Sequence, residues 1–327
     1  MEKEIRWGIA GLGNIAHKFA DDLKLVPGSI LKAVGSRQLD RATAFGKKHD
    51  ATHCFGSYLE LFECEEVDVV YIATPHTSHA ELSIAAMNHG KHVLCEKPLS
   101  TNREKAIEMI EAAVVNNVFL MEALWSRFNP AIVKILEHIE QGDIGTVNYI
   151  HADFAFYALE RSEEGRLLNP QLAGGSILDI GIYPIFLAYL ILGMPEKILA
   201  ASNFYKTGVE IQTSMIFSYP NAQAILYSGL NSKSEMKAEI AGTKGSLFLD
   251  PRWHEAQGYS TEIDAQIDHF DHPTSGNGYV YEIEEVNTCI RSSKLQSELW
   301  SHQNSIDLLQ IMDEVRAQGQ VIFPFER

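Results

Sequence analysis

Cysteine is scarce in this chain: four in 327 residues (Cys54, Cys64, Cys95 and Cys289), none of them in a Cys-x-x-Cys pair. That speaks against a disulfide framework or a structural zinc and fits a reducing cytoplasm. Positive charge is short as well, with 27 lysines and arginines against 43 acids and a formal net charge of −16. A chain so acidic, with no basic stripe, repels phosphates, so nucleic acid is not an expected partner. No apolar run reads as long enough to cross a bilayer, and the first residues enter an apolar strand without the pattern of a signal peptide. The expectation is a cytoplasmic protein without membrane association. Internal repeats and low-complexity tracts are missing too. What remains, 46% hydrophobic and 21% charged, is the composition of a globular protein. Its length exceeds what one core usually serves.

Two patterns divide the chain. Up to about residue 124, apolar runs at 5–11, 29–35, 67–73, 92–95 and 118–123 alternate with amphipathic stretches at 14–25, 38–49, 78–88 and 102–116. Strands rich in Val and Ile and joined by helices predict a parallel, doubly wound α/β sheet. Beyond a helix at 130–141, period-two runs at 146–156, 213–219 and 223–229 and a hairpin about 242–245 predict a large, mainly antiparallel sheet. A last helix is expected near 298–318. The expected organisation is therefore a dinucleotide-binding domain at 1–124 and an α+β substrate and oligomerisation domain at 125–327. Substrate is expected between them.

The first strand ends in Gly11-Leu12-Gly13-Asn14-Ile15-Ala16. Gly11 permits a tight turn, Gly13 lets a pyrophosphate approach the backbone, and Ala16 allows close helix packing. The helix beginning at Asn14 and Ile15 offers free N–H groups and a positive dipole end. The second strand ends in Gly35-Ser36-Arg37-Gln38, without the acid that NAD sites use to hold a ribose hydroxyl. Ser36 and Arg37, with Arg41 one turn on, suit a 2′-phosphate instead. NADP is the expected cofactor, with NAD the lesser choice.

Lys97 follows the strand at 92–95 and precedes Pro98, which restricts it to an extended conformation. It stands at the sheet edge where open α/β folds place ligands. Further on, Asp179 and Tyr183 are four residues apart in Gly174-Gly175-Ser176-Ile177-Leu178-Asp179-Ile180-Gly181-Ile182-Tyr183, so a helix projects both from one face. Isoleucines crowd them. A carboxylate buried there needs a partner, for which a lysine is the expected candidate. An ammonium near a phenol would make Tyr183 a usable base for a hydroxyl proton. Trp125 and Arg127 suit a nicotinamide pocket or ordinary packing alike. Phe154 and Tyr157, with Trp253 and Tyr279 in loops, suit an aromatic substrate wall or a core. His76 and His79 have no third ligand in sequence, so no metal is expected, and His79 is read as packing near the cofactor.

The glycine loop, Thr74-Pro75-His76-Thr77-Ser78-His79, Glu96-Lys97-Pro98 and the 174–183 segment resemble the glucose–fructose oxidoreductase, inositol dehydrogenase and MocA-type family. The resemblance extends over nearly the whole chain, to Gly242-Thr243-Lys244-Gly245-Ser246-Leu247. It implies that Lys97 and Asp179 flank the substrate, and that Thr74, Pro75 and Glu96 belong to the cofactor site. Tyr183 stands where many members carry histidine. Tyrosine marks the branch of glucose–fructose oxidoreductase, NADP-dependent D-xylose dehydrogenase and dimeric dihydrodiol dehydrogenase, and the segment 122–130 is similar to the last two. The resemblance thus implies NADP-linked oxidation of a cyclic aldose such as D-xylose, or of a trans-dihydrodiol. A keto-sugar reductase using the same groups and a non-catalytic NADP or sugar sensor are the rival readings. An exposed apolar face on the second sheet would make the protein a homodimer.

Overall fold

The structure, a computed structural model, describes residues 3–326. Two compact units emerge, Met1–Trp125 with Ser275–Ile306, and Ser126–Thr274 with Asp307–Arg327. The return of 275–306 to the first unit departs from the expected second domain at 125–327, and its cause is polar. The buried Asp22 carboxylate accepts hydrogen bonds of 2.8 Å from the Asn277 backbone, the Asn277 side chain and the Tyr279 backbone. Asn287 accepts from the Trp7 indole at 3.2 Å and donates to Ser29 Oγ at 2.7 Å. Satisfying these buried groups ties the helix Val280–Arg291 to the first sheet.

In the first unit, strands β1 (Ile5–Ala10), β2 (Ser29–Gly35), β3 (His53–Phe55), β4 (Val69–Ile72), β5 (His92–Glu96) and β6 (Leu120–Ala123) form one sheet. Helices α1 (Asn14–Leu23), α2 (Leu39–His49), α3 (Tyr58–Glu63), α4 (His79–Asn88) and α5 (Arg103–Asn116) connect them. The order is β3-β2-β1-β4-β5-β6, and every pair is parallel. The doubly wound Rossmann sheet expected from the alternation is present. Its topological switch lies between β1 and β4, the position at which such sheets bind nucleotides. Trp7, Phe19 and Tyr71 fill the core beneath it, the last two stacked at 3.8 Å.

The second unit carries β7 (Val147–Ala155), β8 (Lys197–Phe204), β9 (Glu210–Ser218), β10 (Gln223–Gly229), β11 (Ala238–Gly242), β12 (Gly245–Leu249), β13 (Gly258–Ile263) and β14 (Gln266–Asp271). They are ordered β14-β13-β12-β11-β7-β10-β9-β8, antiparallel except for β7 with β10. The period-two pattern sorts the faces: Ala224, Leu226 and Ser228 of β10 are buried while Gln223 and Ile225 are exposed. α6 (Pro130–Gln141) starts behind Asn129, whose side chain accepts from Ala131 and Ile132 N–H. α7 (Ile182–Leu192) packs on the buried face of β7 and β10. The first unit's α8 (Val280–Arg291) and then α9 (His302–Gln318) complete the helices. One stretch corrects the expectation that no apolar run has spanning length. Pro170–Leu192 is a 23-residue helical segment with an 18-residue stretch of mean hydropathy 1.8, 78% of which is buried inside the fold.

Candidate active site

In the first unit, the loop between β1 and α1 is shaped by its glycines. Gly11 has φ +92°, and a Cβ there would lie 2.7 Å from the Ala73 carbonyl oxygen and 2.8 Å from Thr74 Cγ2. At Gly13 a Cβ would meet nothing within 4 Å, so its side faces open space. No side chain caps α1 at Gly13, which leaves the first N–H groups, beginning at Asn14 and Ile15, to an outside acceptor. The Gly11 N–H donates to Gly35 O at 3.2 Å, which brings the end of β2 beside the loop. Ser36 is buried and its Oγ accepts from Gln38 N–H at 3.3 Å, while Arg37 is exposed. The Arg41 guanidinium reaches the Leu12 carbonyl at 3.5 Å. Across the switch point, Thr74 Oγ1 is buried with no hydrogen-bond partner among the described residues. Open space beside Gly13, uncapped helix N–H groups, two arginines and a hydroxyl without a partner among the described residues fit a phosphorylated dinucleotide.

Lys97 follows β5, and the Lys97–Pro98 peptide is cis. Three groups hold its loop. Glu96, buried, accepts from the Tyr71 hydroxyl and, at 3.2 Å, from Lys97 N–H. Glu122 on β6, 1% exposed, accepts from Leu99 N–H at 2.8 Å, the Trp300 indole at 3.0 Å and Ser305 Oγ at 2.6 Å. Burial pushes the Glu122 carboxyl above its ordinary range, while those hydrogen bonds and the Lys97 charge pull it back. His79 has no exposed surface, and its ring nitrogens lie 2.9 Å from the Pro98 and Thr74 carbonyl oxygens. Its imidazole ties the loops after β4 and β5 together. Burial lowers its basicity. Its ring centre is 5.7 Å from that of His76. Trp125, 8% exposed, stacks on Tyr279 at 4.9 Å. Pro75 begins the turn that leads into α4.

In the second unit, a five-residue π-helical turn, Ile177–Gly181, runs straight into α7. Such turns widen a helix and occur often at functional sites. Asp179 is 6% exposed and Tyr183 6% exposed. The Arg166 guanidinium pairs with Asp179 from the loop before the helix. Arg166, half exposed, is a partner that the sequence did not single out. Tyr183 packs 5.5 Å from Phe154 and 5.2 Å from His254, and these two rings stack at 4.2 Å. Phe154 and His254 thus flank the Tyr183 ring, and the sequence had not singled out His254. Trp253 is fully buried with its indole donating to Asp153 O at 2.9 Å, so it builds the core. Tyr157 is 45% exposed, and Arg127 is half-buried on a short turn at Trp125–Phe128.

Comparison with known proteins agrees with this architecture. Residues 5–124 match the oxidoreductase family with an NAD-binding Rossmann fold, and residues 132–248 match the GFO/IDH/MocA C-terminal domain. The chain is 34% identical to scyllo-inositol 2-dehydrogenase (NADP(+)) IolU of Bacillus subtilis over 99% of both chains. It is 33% identical to trans-1,2-dihydrobenzene-1,2-diol dehydrogenase of Sus scrofa over 99% of both chains. With D-xylose 1-dehydrogenase (NADP(+)) of Hypocrea jecorina it shares 31% identity over 98% of this chain and 93% of the other.

Proposed function

The chain belongs to the GFO/IDH/MocA oxidoreductase family, and from that premise we propose that it oxidises a ring carbon bearing a hydroxyl beside another hydroxyl. It is an NADP-dependent dehydrogenase of CH–OH groups. The names of its relatives supply the narrower class: scyllo-inositol, a dihydrobenzenediol and D-xylose as a pyranose are all six-membered rings with adjacent hydroxyls. The observation that carries the reading is Tyr183, a phenol held by Phe154 and His254 on the same helical segment as the buried Asp179.

The Gly11–Gly13 loop with Ser36, Arg37, Arg41 and Thr74 would hold NADP⁺, which when bound would supply the hydride acceptor. Tyr183 takes the proton from the substrate hydroxyl. The Lys97 ammonium favours the phenolate and donates to the same oxygen, since a neighbouring cation stabilises an anion. Asp179, oriented by Arg166, accepts a hydrogen bond from the adjacent hydroxyl, and Phe154 gives the ring an apolar face. The same groups run the reaction in either direction. The test is NADPH formation with a panel of D-xylose, D-glucose, scyllo-inositol and a trans-dihydrodiol. Turnover with none of them, in either direction, contradicts the reading.

Arg37→Ala tests the cofactor assignment. A guanidinium–phosphate hydrogen bond contributes about 1.5–3 kcal/mol, so KM for NADP⁺ should rise roughly tenfold to a hundredfold, with KM for NAD⁺ little changed. Equal effects on both cofactors would show that the 2′-phosphate is not read there.

We place the enzyme in the cytoplasm, in keeping with its four free cysteines. The outward face of the second sheet carries Leu199, Ile216 and Ile225 side by side on β8, β9 and β10, each more than two-fifths exposed. An apolar row on an uncovered sheet favours a homodimer through that face. Sedimentation should give a dimer for the native chain and a monomer for Ile216→Glu. A native monomer sinks the assignment.

A further inference from the structure

The helix that carries Asp179 and Tyr183 begins without a cap of its own. Ser176 already has helical backbone angles, and its side chain makes no capping hydrogen bond. Its first N–H groups are deep inside the fold, where an unpaired donor is costly. They are satisfied from another element. Glu210, the first residue of β9 and 1% exposed, accepts from Ser176 N–H at 2.8 Å through Oε2 and from Ile177 N–H through Oε1.

The Gly174-Gly175 pair is shaped around this contact. Gly175 has φ +128°, and a Cβ there would lie 2.9 Å from Glu210 Oε1. At Gly174 a Cβ would lie 2.8 Å from the carbonyl oxygens of Arg166, Leu167 and Asn169. The two glycines thus let the helix start sit between the Glu210 carboxylate and the loop that supplies Arg166 to Asp179. Ser176 Oγ lies 2.8 Å from Ser228 Oγ of β10, a second tie to the sheet.

We propose that Glu210 is a positioning residue for the reaction: its carboxylate caps the helix of Asp179 and Tyr183 and fixes where both side chains stand. The proposal rests on the reading of those two residues as the reactive pair. A carboxylate suits the place because it accepts both N–H groups and meets the positive end of the helix dipole. Protonation turns one acceptor oxygen into a hydroxyl facing an N–H. Burial pushes the Glu210 carboxyl up to about 7, against the hydrogen bonds from Ile177 and Ser176 and the field of Arg316. Arg316, on α9, is itself paired with Asp313 and Glu326; α9 also carries Asp307 and Glu314, and the helix start and the loop before it carry Asp179, Arg166, Glu160, Arg161, Glu163 and Glu164. The ionised form is the productive one, so turnover should rise as pH rises through about 7.

The test compares wild type, Glu210→Gln, Glu210→Asp and Tyr183→Phe as NADP-loaded enzymes, with kcat followed across pH. Glutamine keeps the volume and one acceptor but turns an N–H toward an N–H. It should lower kcat about tenfold to a hundredfold, leave KM for NADP unchanged and abolish the acid limb near neutrality. Aspartate, which keeps the charge, should restore part of kcat and the limb. A merely structural role would lower Tm and leave kcat and the limb alone, which overturns the proposal. Tyr183→Phe separates the two readings. Wild-type turnover in that variant overturns the assignment of Tyr183, whereas its loss beside wild-type kcat in Glu210→Gln overturns the role of Glu210 alone. If Glu210→Gln does not fold, hydrogen exchange in the wild type decides. Protection of the peptide spanning 174–180, corrected for intrinsic rates, should fall as pH drops through neutrality, and constant protection contradicts the proposal.

Discussion

Tyr183→Phe is expected to lower kcat by about 10²–10⁴-fold, the usual contribution of a positioned acid–base group, while NADP binding and Tm stay near the wild-type values. The ring is 6% exposed and packed against Phe154 and His254, contacts that phenylalanine retains. What it lacks is the oxygen that exchanges the substrate proton. Because the proton leaves with the hydride, the loss should appear in kcat rather than in KM for the cofactor. Steady-state kinetics, cofactor titration and a melting curve on the same preparation check all three quantities. A variant that retains a tenth or more of the wild-type kcat would remove Tyr183 from the chemistry.

The second large effect concerns Glu122, a residue away from the reacting atoms. Glu122→Ala takes the acceptor from two buried donors, the Leu99 N–H and the Ser305 hydroxyl, and leaves the Trp300 indole with Ser305 Oγ alone. Each unsatisfied group costs about 1–3 kcal/mol, so a loss of roughly 2–6 kcal/mol is expected, a range that brackets the cost of breaking a buried charged pair. Activity should fall as well, because the freed loop carries Lys97 two residues before Leu99. Glu122→Gln is the control: it fills the space and keeps an acceptor, so it should recover much of the stability. Denaturant unfolding with kcat measured on the folded fraction distinguishes the two effects. Unchanged stability in Glu122→Ala would mean that water replaces the carboxylate without penalty.

These two residues also mark the limit of what the sequence reveals. The first sheet was legible because parallel strands covered on both faces are continuous apolar runs, and glycines mark the cofactor turn. Lys97, Asp179 and Tyr183 stood out as polar groups among apolar neighbours. β14 was invisible for the opposite reason: every one of its residues is exposed, so it carries no apolar period. β3 has only three residues, too few for a pattern. Arg166, Glu122 and Glu210 act through hydrogen bonds to residues 13, 23 and 33 positions away, and no local spacing encodes such pairs. A weak signal existed even so. Glu122 lies within an apolar strand and Glu210 between Val209 and Ile211, where an acid is costly unless the fold supplies donors. The return of 275–306 to the first unit depends on Asp22 and Asn287 in the same way.

The central claim is direct hydride transfer from a hydroxyl-bearing ring carbon to NADP⁺. Its most direct test uses a substrate from the turnover panel deuterated at that carbon, with mass spectrometry of the reduced cofactor. The account predicts one deuteron in each NADPH formed and none in the product ketone or lactone carbon. Reduced cofactor without the label, formed at the rate of product, would contradict it.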